Sequence, residues 1–348
     1  MLIQENVPLA PLTSFRIGGP ARFLIEARES GEVAEAVAFA RSRVLPLFVL
    51  GGGSNLVIAD AGWPGLVLKI GISGVVRRPG SQEGKILFEV GAGEDWDTFV
   101  AHTVEAGCAG VECLSGIPGS VGGTPVQNVG AYGQEVSETI DSVEVFDLRD
   151  GQIRELCAEA CEFSYRSSIF NTSERGRFVI LRVTYALEPG SAAHIEYTDL
   201  KRQFEGRSPT LSETRDAVRQ IRARKGMLII DGDPDCRSAG SFFKNPVLST
   251  EQHEDLFGRA LSKGLTVPSY PALEQAHKVS AAWLVEHSGF TRGYRLGKVA
   301  ISSKHALAIV NLGGARAEEV LALKDRIQRE VEQTWAVRLE TEPVFVGQ

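Results

Sequence analysis

Six glycines fall within the stretch Gly116-Ile-Pro-Gly-Ser-Val-Gly-Gly-Thr-Pro-Val-Gln-Asn-Val-Gly-Ala-Tyr-Gly133, at positions 116, 119, 122, 123, 130 and 133. No regular helix or strand tolerates that density, because each glycine enlarges the conformational freedom that folding must remove. Pro118 and Pro125 stiffen the same stretch, so it reads as a fixed, unusual backbone path and not as a slack loop. Ser115, Ser120, Gln127 and Asn128 add side-chain donors along it. A second cluster, Gly51-Gly-Gly-Ser-Asn55, follows the apolar run Leu47–Leu50, which reads as a buried strand. Consecutive glycines remove every Cβ and let backbone N–H groups converge on an anion. The dinucleotide fingerprint G-x-G-x-x-G fails here, since Leu56 stands where its third glycine belongs, and no P-loop pattern occurs. Taken together, the two clusters predict a cradle for the diphosphate of a large nucleotide cofactor.

The remaining sequence narrows the class. The 348 residues carry 37 Lys+Arg against 44 Asp+Glu, a net charge of −7, with 43% hydrophobic residues. That mixture fits a folded globular chain of two or three domains. It lacks the broad basic field of a general nucleic-acid binder, so nucleic acid is not an expected partner. Polyanionic small molecules remain possible where cations concentrate locally. Met1–Phe15 has no apolar core of a signal peptide, and no stretch approaches the ~18 apolar residues of a spanning helix, so a cytoplasmic protein without membrane insertion is expected. Cys108, Cys113, Cys157, Cys161 and Cys236 form neither a disulfide framework nor a zinc pattern, and no metal is expected. Cys157 and Cys161, four apart, could share a helical face as plain thiols.

Periodicity gives a coarse map. Ser30 reads as the cap of a helix through Ala40, and Asp95–Ala106 as a helix closed by Gly107. Leu66–Ile70, Ile86–Val90, Val143–Phe146, Phe178–Ala186 and Leu307–Val310 read as strands. Thr210-Leu-Ser-Glu213 is a capping box opening a helix through Arg222. Ser280–His287 reads as helix, and Val320, Leu323, Ile327, Val331 and Trp335 make one apolar stripe of a long amphipathic helix. Composition shifts near residue 205 and again within 226–240. The layout is α+β, with mixed sheets in more than one domain.

Several segments together resemble the UDP-N-acetylenolpyruvoylglucosamine reductase family. Thr13-Ser-Phe-Arg-Ile-Gly-Gly19, Leu50–Asn55 and Gly116–Gly133 resemble its FAD-binding half. Tyr165-Arg-Ser-Ser-Ile-Phe170, Ala239-Gly-Ser-Phe-Phe-Lys-Asn-Pro246 and Leu339-Glu-Thr-Glu342 resemble its active-site motifs, in the same order. The resemblance runs from about residue 8 to residue 347. It implies an α+β architecture with an FAD-binding fold of the vanillyl-alcohol-oxidase (PCMH) type. Residues 1–67 and 68–205 would be its two subdomains, 206–338 a C-terminal α+β substrate-binding domain, and 339–348 a tail carrying a catalytic Glu. It also implies a monomeric flavoenzyme in which NADPH reduces non-covalent FAD, and FAD reduces UDP-GlcNAc-enolpyruvate to UDP-N-acetylmuramate in peptidoglycan precursor synthesis.

The resemblance assigns roles residue by residue. FAD would be held by Gly51, Gly52, Gly53, Ser54, Asn55, Ser115, Gly116, Pro118, Gly119, Ser120, Gly122, Gly123, Gln127, Asn128, Gly130, Ala131 and Tyr132, with Arg222 on the flavin side. Reducing an enolpyruvyl double bond builds enolate charge, which needs a cation and then a proton donor. Arg166 is the implied cation and Ser241 the implied donor. Glu342 is the implied catalytic carboxylate, with Glu340 its rival on the same strand face, because Pro343 departs from the family's usual Val. Tyr165, Tyr197, Lys225, Asn245, Tyr270 and Lys278 would meet substrate, Lys225 at its diphosphate. Tyr197 matches one family subtype and Lys304-His305 the other. The remaining cations, Arg224 and Lys298 among them, read as solvated.

Two rival functions stay open on sequence. An oxygen-using flavin oxidase with covalent flavin is disfavoured, since the Gly116–Gly133 stretch holds neither His nor Cys. A non-catalytic nucleotide sensor could lose Arg166, Ser241 or Glu342, and all three are present. A serine hydrolase is disfavoured too, because Gly240-Ser-Phe-Phe is not G-x-S-x-G and no histidine partner is evident.

Overall fold

The computed structural model describes residues 1–80, 84–271 and 276–347. Two compact units emerge. The first comprises Met1–Val7, Ala21–Gly53 and Trp63–Arg224; the second comprises Pro8–Pro20, Ser54–Gly62 and Lys225–Gln348. Where sequence suggests a contiguous first segment of residues 1–67, the second unit takes two pieces out of it. The physical reason lies in one pairing: Leu56–Ile58 runs parallel to Val344–Val346 in a two-stranded sheet. Gly18 and Gly19 fit the same junction. A Cβ on Gly18 would lie 2.7 Å from Ile58 Cβ, and one on Gly19 would lie 2.2 Å from Asp60 O.

In the first unit a four-stranded sheet runs in the order Ile3–Pro8, Pro20–Ala27, Trp63–Ile70, Leu47–Leu50. Trp63–Ile70 is parallel to both of its neighbours Pro20–Ala27 and Leu47–Leu50. Helix α1 (Ser30–Ser42) buries Val33, Ala36, Val37 and Ala40. Ser30 is its first helical residue and not its cap; Glu29 holds the extended cap position without a side-chain bond. The Glu32 carboxylate instead accepts from the Arg28 N–H at 2.7 Å, which satisfies the chain entering the helix. A second, six-stranded sheet centres on Phe178–Pro189, antiparallel to Ile140–Asp147 and Ile86–Gly91. Helix α2 (Trp96–Glu105) begins at Asp95, whose carboxylate accepts from Thr98 N–H, and ends before Gly107 at φ +68°. Trp96, Phe99, Phe88 and Tyr185 join one apolar core with Val33 and Leu68. The short helix α3 (Thr198–Gln203) and helix α4 (Leu211–Arg224) close the unit. The expected capping box opens α4: Thr210 N–H donates to Glu213 Oε2, and Glu213 N–H donates to Thr210 Oγ1. Cys157 ends a strand and Cys161 lies in a single 3₁₀ turn, so they share no helical face. Burial pushes the Cys161 thiol up to about 12, and all five cysteines are free thiols.

In the second unit, helices α5 (Thr250–Leu261), α6 (Ala281–Glu286) and α7 (Ala317–Trp335) accompany two three-stranded antiparallel sheets. The α7 stripe expected from periodicity is the buried stripe: Val320, Leu323, Ile327, Val331 and Trp335 are at most 1% exposed. They pack in a core with Phe15, Val57, Phe242 and Leu339. Asp60 accepts from Ala317 N–H at 2.9 Å and Glu318 N–H at 3.2 Å, so a distant carboxylate caps α7.

Candidate active site

The two glycine clusters meet within the first unit. Gly52 N–H donates to Ser120 Oγ at 3.1 Å. A Cβ built on Gly52 would lie 2.5 Å from Gly119 Cα and 2.6 Å from Ser120 N, so these backbones touch with no room for any side chain. Gly119 O accepts from Trp96 N–H, Val121 N–H donates to Glu94 O, and Gly122 N–H donates to Ala92 O, which fixes the loop to the start of α2 and the strand before it. Gly53, Gly116 and Gly119 all have positive φ, at +66°, +72° and +130°. Two glycine-rich backbones in contact, with three left-handed residues among them, make a tightly constrained path of the type whose N–H groups can turn toward an anion. Gly123, in contrast, is exposed, and a Cβ there would meet no protein atom within 4 Å. Ser115 is fully buried with its hydroxyl donating to Glu112 O at 2.6 Å. Asn128, only 1% exposed, donates to Glu135 Oε2 and Ser164 O and accepts from Ser137 N–H, so its side chain ties the loop together.

The far end of the glycine stretch carries Arg166. Its guanidinium donates to Gly130 O at 2.7 Å and lies 5.3 Å from the Tyr165 ring centroid. Arg166 itself has φ +55°, a strained value for a residue with a long side chain, which persists where the surroundings over-determine it. Asn171 Nδ2–H donates to its carbonyl at 3.1 Å. Tyr132, also at positive φ, packs edge-on against Tyr197 with centroids 5.4 Å apart. Arg222 is 5% exposed and donates from Nε to Gly116 O at 2.9 Å. Burial lowers its pKa, with Tyr132 and Asp97 pulling the other way, and a guanidinium so held stays charged. It is therefore a buried cation bonded to the glycine stretch, set apart from the exposed Arg224.

The second unit gathers a different set. Ser241–Lys244 runs against Glu340–Glu342: Glu342 N–H donates to Phe242 O at 3.0 Å, Lys244 N–H donates to Glu340 O at 2.9 Å, and Phe243 opposes Thr341. Ser241 Oγ lies 3.1 Å from His305 Nε2. This corrects the sequence reading, which suggested no histidine partner for Ser241; the two are 64 positions apart and no local spacing links them. The His305 loop is braced from below. Asp235 accepts from Ser303 N–H and Oγ–H at 2.9 and 2.7 Å, and Lys304 Nζ pairs with Asp233. The Lys304 hydrogen bond holds the Asp233 carboxyl below the usual range. Asn55 Nδ2–H donates to Glu342 O at 3.1 Å, so the end of the Gly51–Asn55 cluster sits beside the tail. The Glu340 side chain is 78% exposed and paired with Lys244 at 3.6 Å, whereas Glu342 is half-buried. Tyr270 and Lys278 are directly opposed on neighbouring strands. Asn245 Oδ1 accepts from Ala281 N–H at 3.0 Å and so helps cap α6.

Thus Gly51–Gly53, Ser115–Tyr132, Tyr165, Arg166, Tyr197 and Arg222 belong to the first unit, and Ser54, Asn55, Ser241, Glu342, Lys225, Asn245, Tyr270 and Lys278 to the second. Sequence reasoning misses Asp97 altogether, and it names His305 only as a subtype feature, without its contact to Ser241. Asp97 accepts from Gly116 N–H at 2.6 Å and from Arg215 at 2.5 Å. Its only sequence signal is a carboxylate in the first turn of a helix, which is usual there.

Comparison with known proteins is consistent along the chain. Residues 21–156 match the family described as FAD binding domain, and residues 233–346 match the UDP-N-acetylenolpyruvoylglucosamine reductase, C-terminal domain. The chain is 46% identical to the UDP-N-acetylenolpyruvoylglucosamine reductase of Streptomyces coelicolor, over 99% of this chain and 91% of that one. It is 42% identical to the protein of the same name from Thermobifida fusca, over 99% and 98%. Among solved structures, the UDP-N-acetylenolpyruvylglucosamine reductase of Thermus caldophilus superposes with a TM-score of 0.67 at 28% identity, over 99% of both chains.

Proposed function

The chain belongs to the UDP-N-acetylenolpyruvoylglucosamine reductase family, and from that premise we propose that it reduces UDP-GlcNAc-enolpyruvate to UDP-N-acetylmuramate, with FAD as resident cofactor and NADPH as electron source. The observation that carries this reading is the close backbone contact of Gly52 with Gly119–Ser120, which joins two separate glycine clusters into one phosphate-type cradle. When bound, FAD supplies the two-electron transfer that amino-acid side chains cannot.

The chain's own residues supply charge and proton. Arg166, anchored on Gly130 O, presents a permanent cation to the carboxylate beside the developing enolate. Ser241 gives its Oγ proton to the substrate carbon. A bare hydroxyl is a weak acid, and His305 Nε2 at 3.1 Å is placed to hydrogen-bond the oxygen as its charge builds. Glu342 is favoured over Glu340 as the carboxylate of the site, because Glu340 points to solvent and pairs with Lys244. Tyr165, Tyr197, Lys225, Asn245, Tyr270 and Lys278 are assigned to the sugar nucleotide, and the protein is inferred to work as a cytoplasmic monomer. Among the described residues, no helix is long and apolar enough to cross a membrane.

An anaerobic titration tests the proposal. Purified protein is expected to be yellow, to bleach with NADPH, and to regain colour on adding the enolpyruvyl sugar nucleotide. Protein that takes up no FAD refutes the whole reading; bleaching with no recovery refutes the substrate assignment.

A further inference from the structure

Gly116 stands at φ +72° at the head of the glycine stretch, and both peptide groups beside it are pinned. Its N–H donates to Asp97 Oδ1 at 2.6 Å, and its carbonyl accepts from the buried Arg222 Nε at 2.9 Å. The same Asp97 carboxylate receives a two-pronged contact from Arg215, at 2.5 and 3.1 Å, and a further one from Arg219. One carboxylate in the first turn of α2 therefore joins two arginines of α4, Arg215 and Arg219, to the N–H of a left-handed residue whose carbonyl a third, Arg222, holds. Bidentate, charge-assisted bonds of this kind fix geometry as well as adding energy.

We propose that Asp97 is a positioning residue of the cofactor site: it locks the Gly116 turn in its receiving conformation and offsets the positive charge that Arg215, Arg219 and Arg222 place behind the glycine stretch. The proposal rests on the reading of that stretch as an FAD cradle. Two consequences follow from the two bonds. Losing the Gly116 anchor frees a left-handed turn that must then be re-ordered when FAD binds, which weakens binding. Losing the carboxylate charge leaves the arginine cluster less compensated, and a more positive surrounding favours the reduced, more anionic flavin. Burial works to raise the Asp97 pKa, but the hydrogen bonds from Arg215 and Gly116 outweigh it, so the group is a carboxylate at neutral pH.

The test uses the full chain, stripped of flavin and titrated with FAD, followed by equilibrium reduction of the bound flavin against a reference dye. Asp97→Ala is expected to weaken FAD about tenfold or more, the effect of one charge-assisted bond. Asp97→Asn keeps an acceptor for Gly116 N–H, and is expected to bind FAD more tightly than the Ala variant with a reduction potential above that of the wild type. Arg219→Met, at a half-exposed position, is expected to move the potential the opposite way. A purely structural role would not produce shifts of opposite sign. Wild-type affinity in Asp97→Ala, or potentials that do not move or that move together in the Asn and Met variants, overturn the proposal. If Asp97→Ala does not fold, the other two variants decide. Failure of the wild-type protein to take up FAD refutes the cofactor reading itself, and is thereby distinguishable from failure of this proposal alone.

Discussion

Substituting Gly52 by Ala probes the cradle most directly. The new Cβ would lie 2.5 Å from Gly119 Cα, 2.6 Å from Gly119 C and 2.6 Å from Ser120 N. Carbon atoms rest at ~3.5–4.0 Å, so one loop must retreat by about 1 Å. All three neighbours are backbone atoms, and no flexible side-chain end can swing aside. The retreat is opposed by the bonds from Trp96 N–H to Gly119 O and from Gly122 N–H to Ala92 O. It also stretches the bond from Gly52 N–H to Ser120 Oγ. Overpacking of this kind costs ~1–3 kcal/mol. Taken up as lost stability, that lowers Tm by ~2–4 °C for each kcal/mol in a unit of this size. Taken up on binding, it weakens FAD by roughly five- to 150-fold.

Gly123→Ala separates protein contact from cofactor contact. Its Cβ meets nothing within 4 Å, and the residue is not at positive φ, so Tm is expected to stay at the wild-type value. Any loss of FAD affinity there reports a cofactor atom close to the Gly123 Cα. Gly31→Ala in the first turn of α1, equally open, serves as the reference and is expected to leave Tm unchanged or slightly raised. Differential scanning calorimetry of the flavin-free protein and fluorescence titration with FAD supply both readouts. A Gly52→Ala protein that melts and binds FAD like the wild type would refute the steric reasoning, as would a Gly123→Ala protein that melts as low as it does.

Three further outcomes are expected. Ser241→Ala should leave NADPH bleaching of the flavin near normal and slow re-oxidation by the enolpyruvyl substrate by ~10²–10⁴, with His305→Gln slowing the same half-reaction less; stopped-flow absorbance checks this, and equal losses in both halves would count against the proton-donor role. Asp60→Ala removes the cap of α7 and should cost ~1 kcal/mol, read as a lowered urea midpoint with unchanged slope. Acid should unfold the protein through its bonded carboxylates. Asp97 and Asp233 have pKa values held below the ordinary carboxylate range, so their stabilisation is complete above about pH 4 and lost as pH falls through the depressed native values. Asp97→Asn should therefore melt below the wild type at pH 7, and the two melting curves should converge as pH falls below about 4.

What the sequence reveals and what it hides differ by the range of the interaction. The α7 stripe was legible because a 3.6-residue period is local, and burial of Val320, Leu323, Ile327, Val331 and Trp335 follows from it. The α4 capping box was legible for the same reason, since Thr210 and Glu213 are three apart. The Ser30 cap misled because a serine before an apolar period does not say which residue enters the helix; here Glu29 does, with Glu32 reaching back to Arg28 N–H. The glycine clusters announced an anion site, yet their mutual contact joins positions 68 apart, and only a folded backbone brings Gly52 to Ser120. Asp97 and Arg215 are 118 apart, and each alone looks like an ordinary helix-surface charge. Residue type carried the chemistry expected of Arg166, Ser241 and Glu342, because few residue types can hold a carboxylate or pass a proton. The groups that tune such residues, His305 beside Ser241 and Asp97 behind Gly116, are chosen by position in space. A single sequence therefore exposes the groups assigned to the chemistry before it exposes the groups that hold them in place.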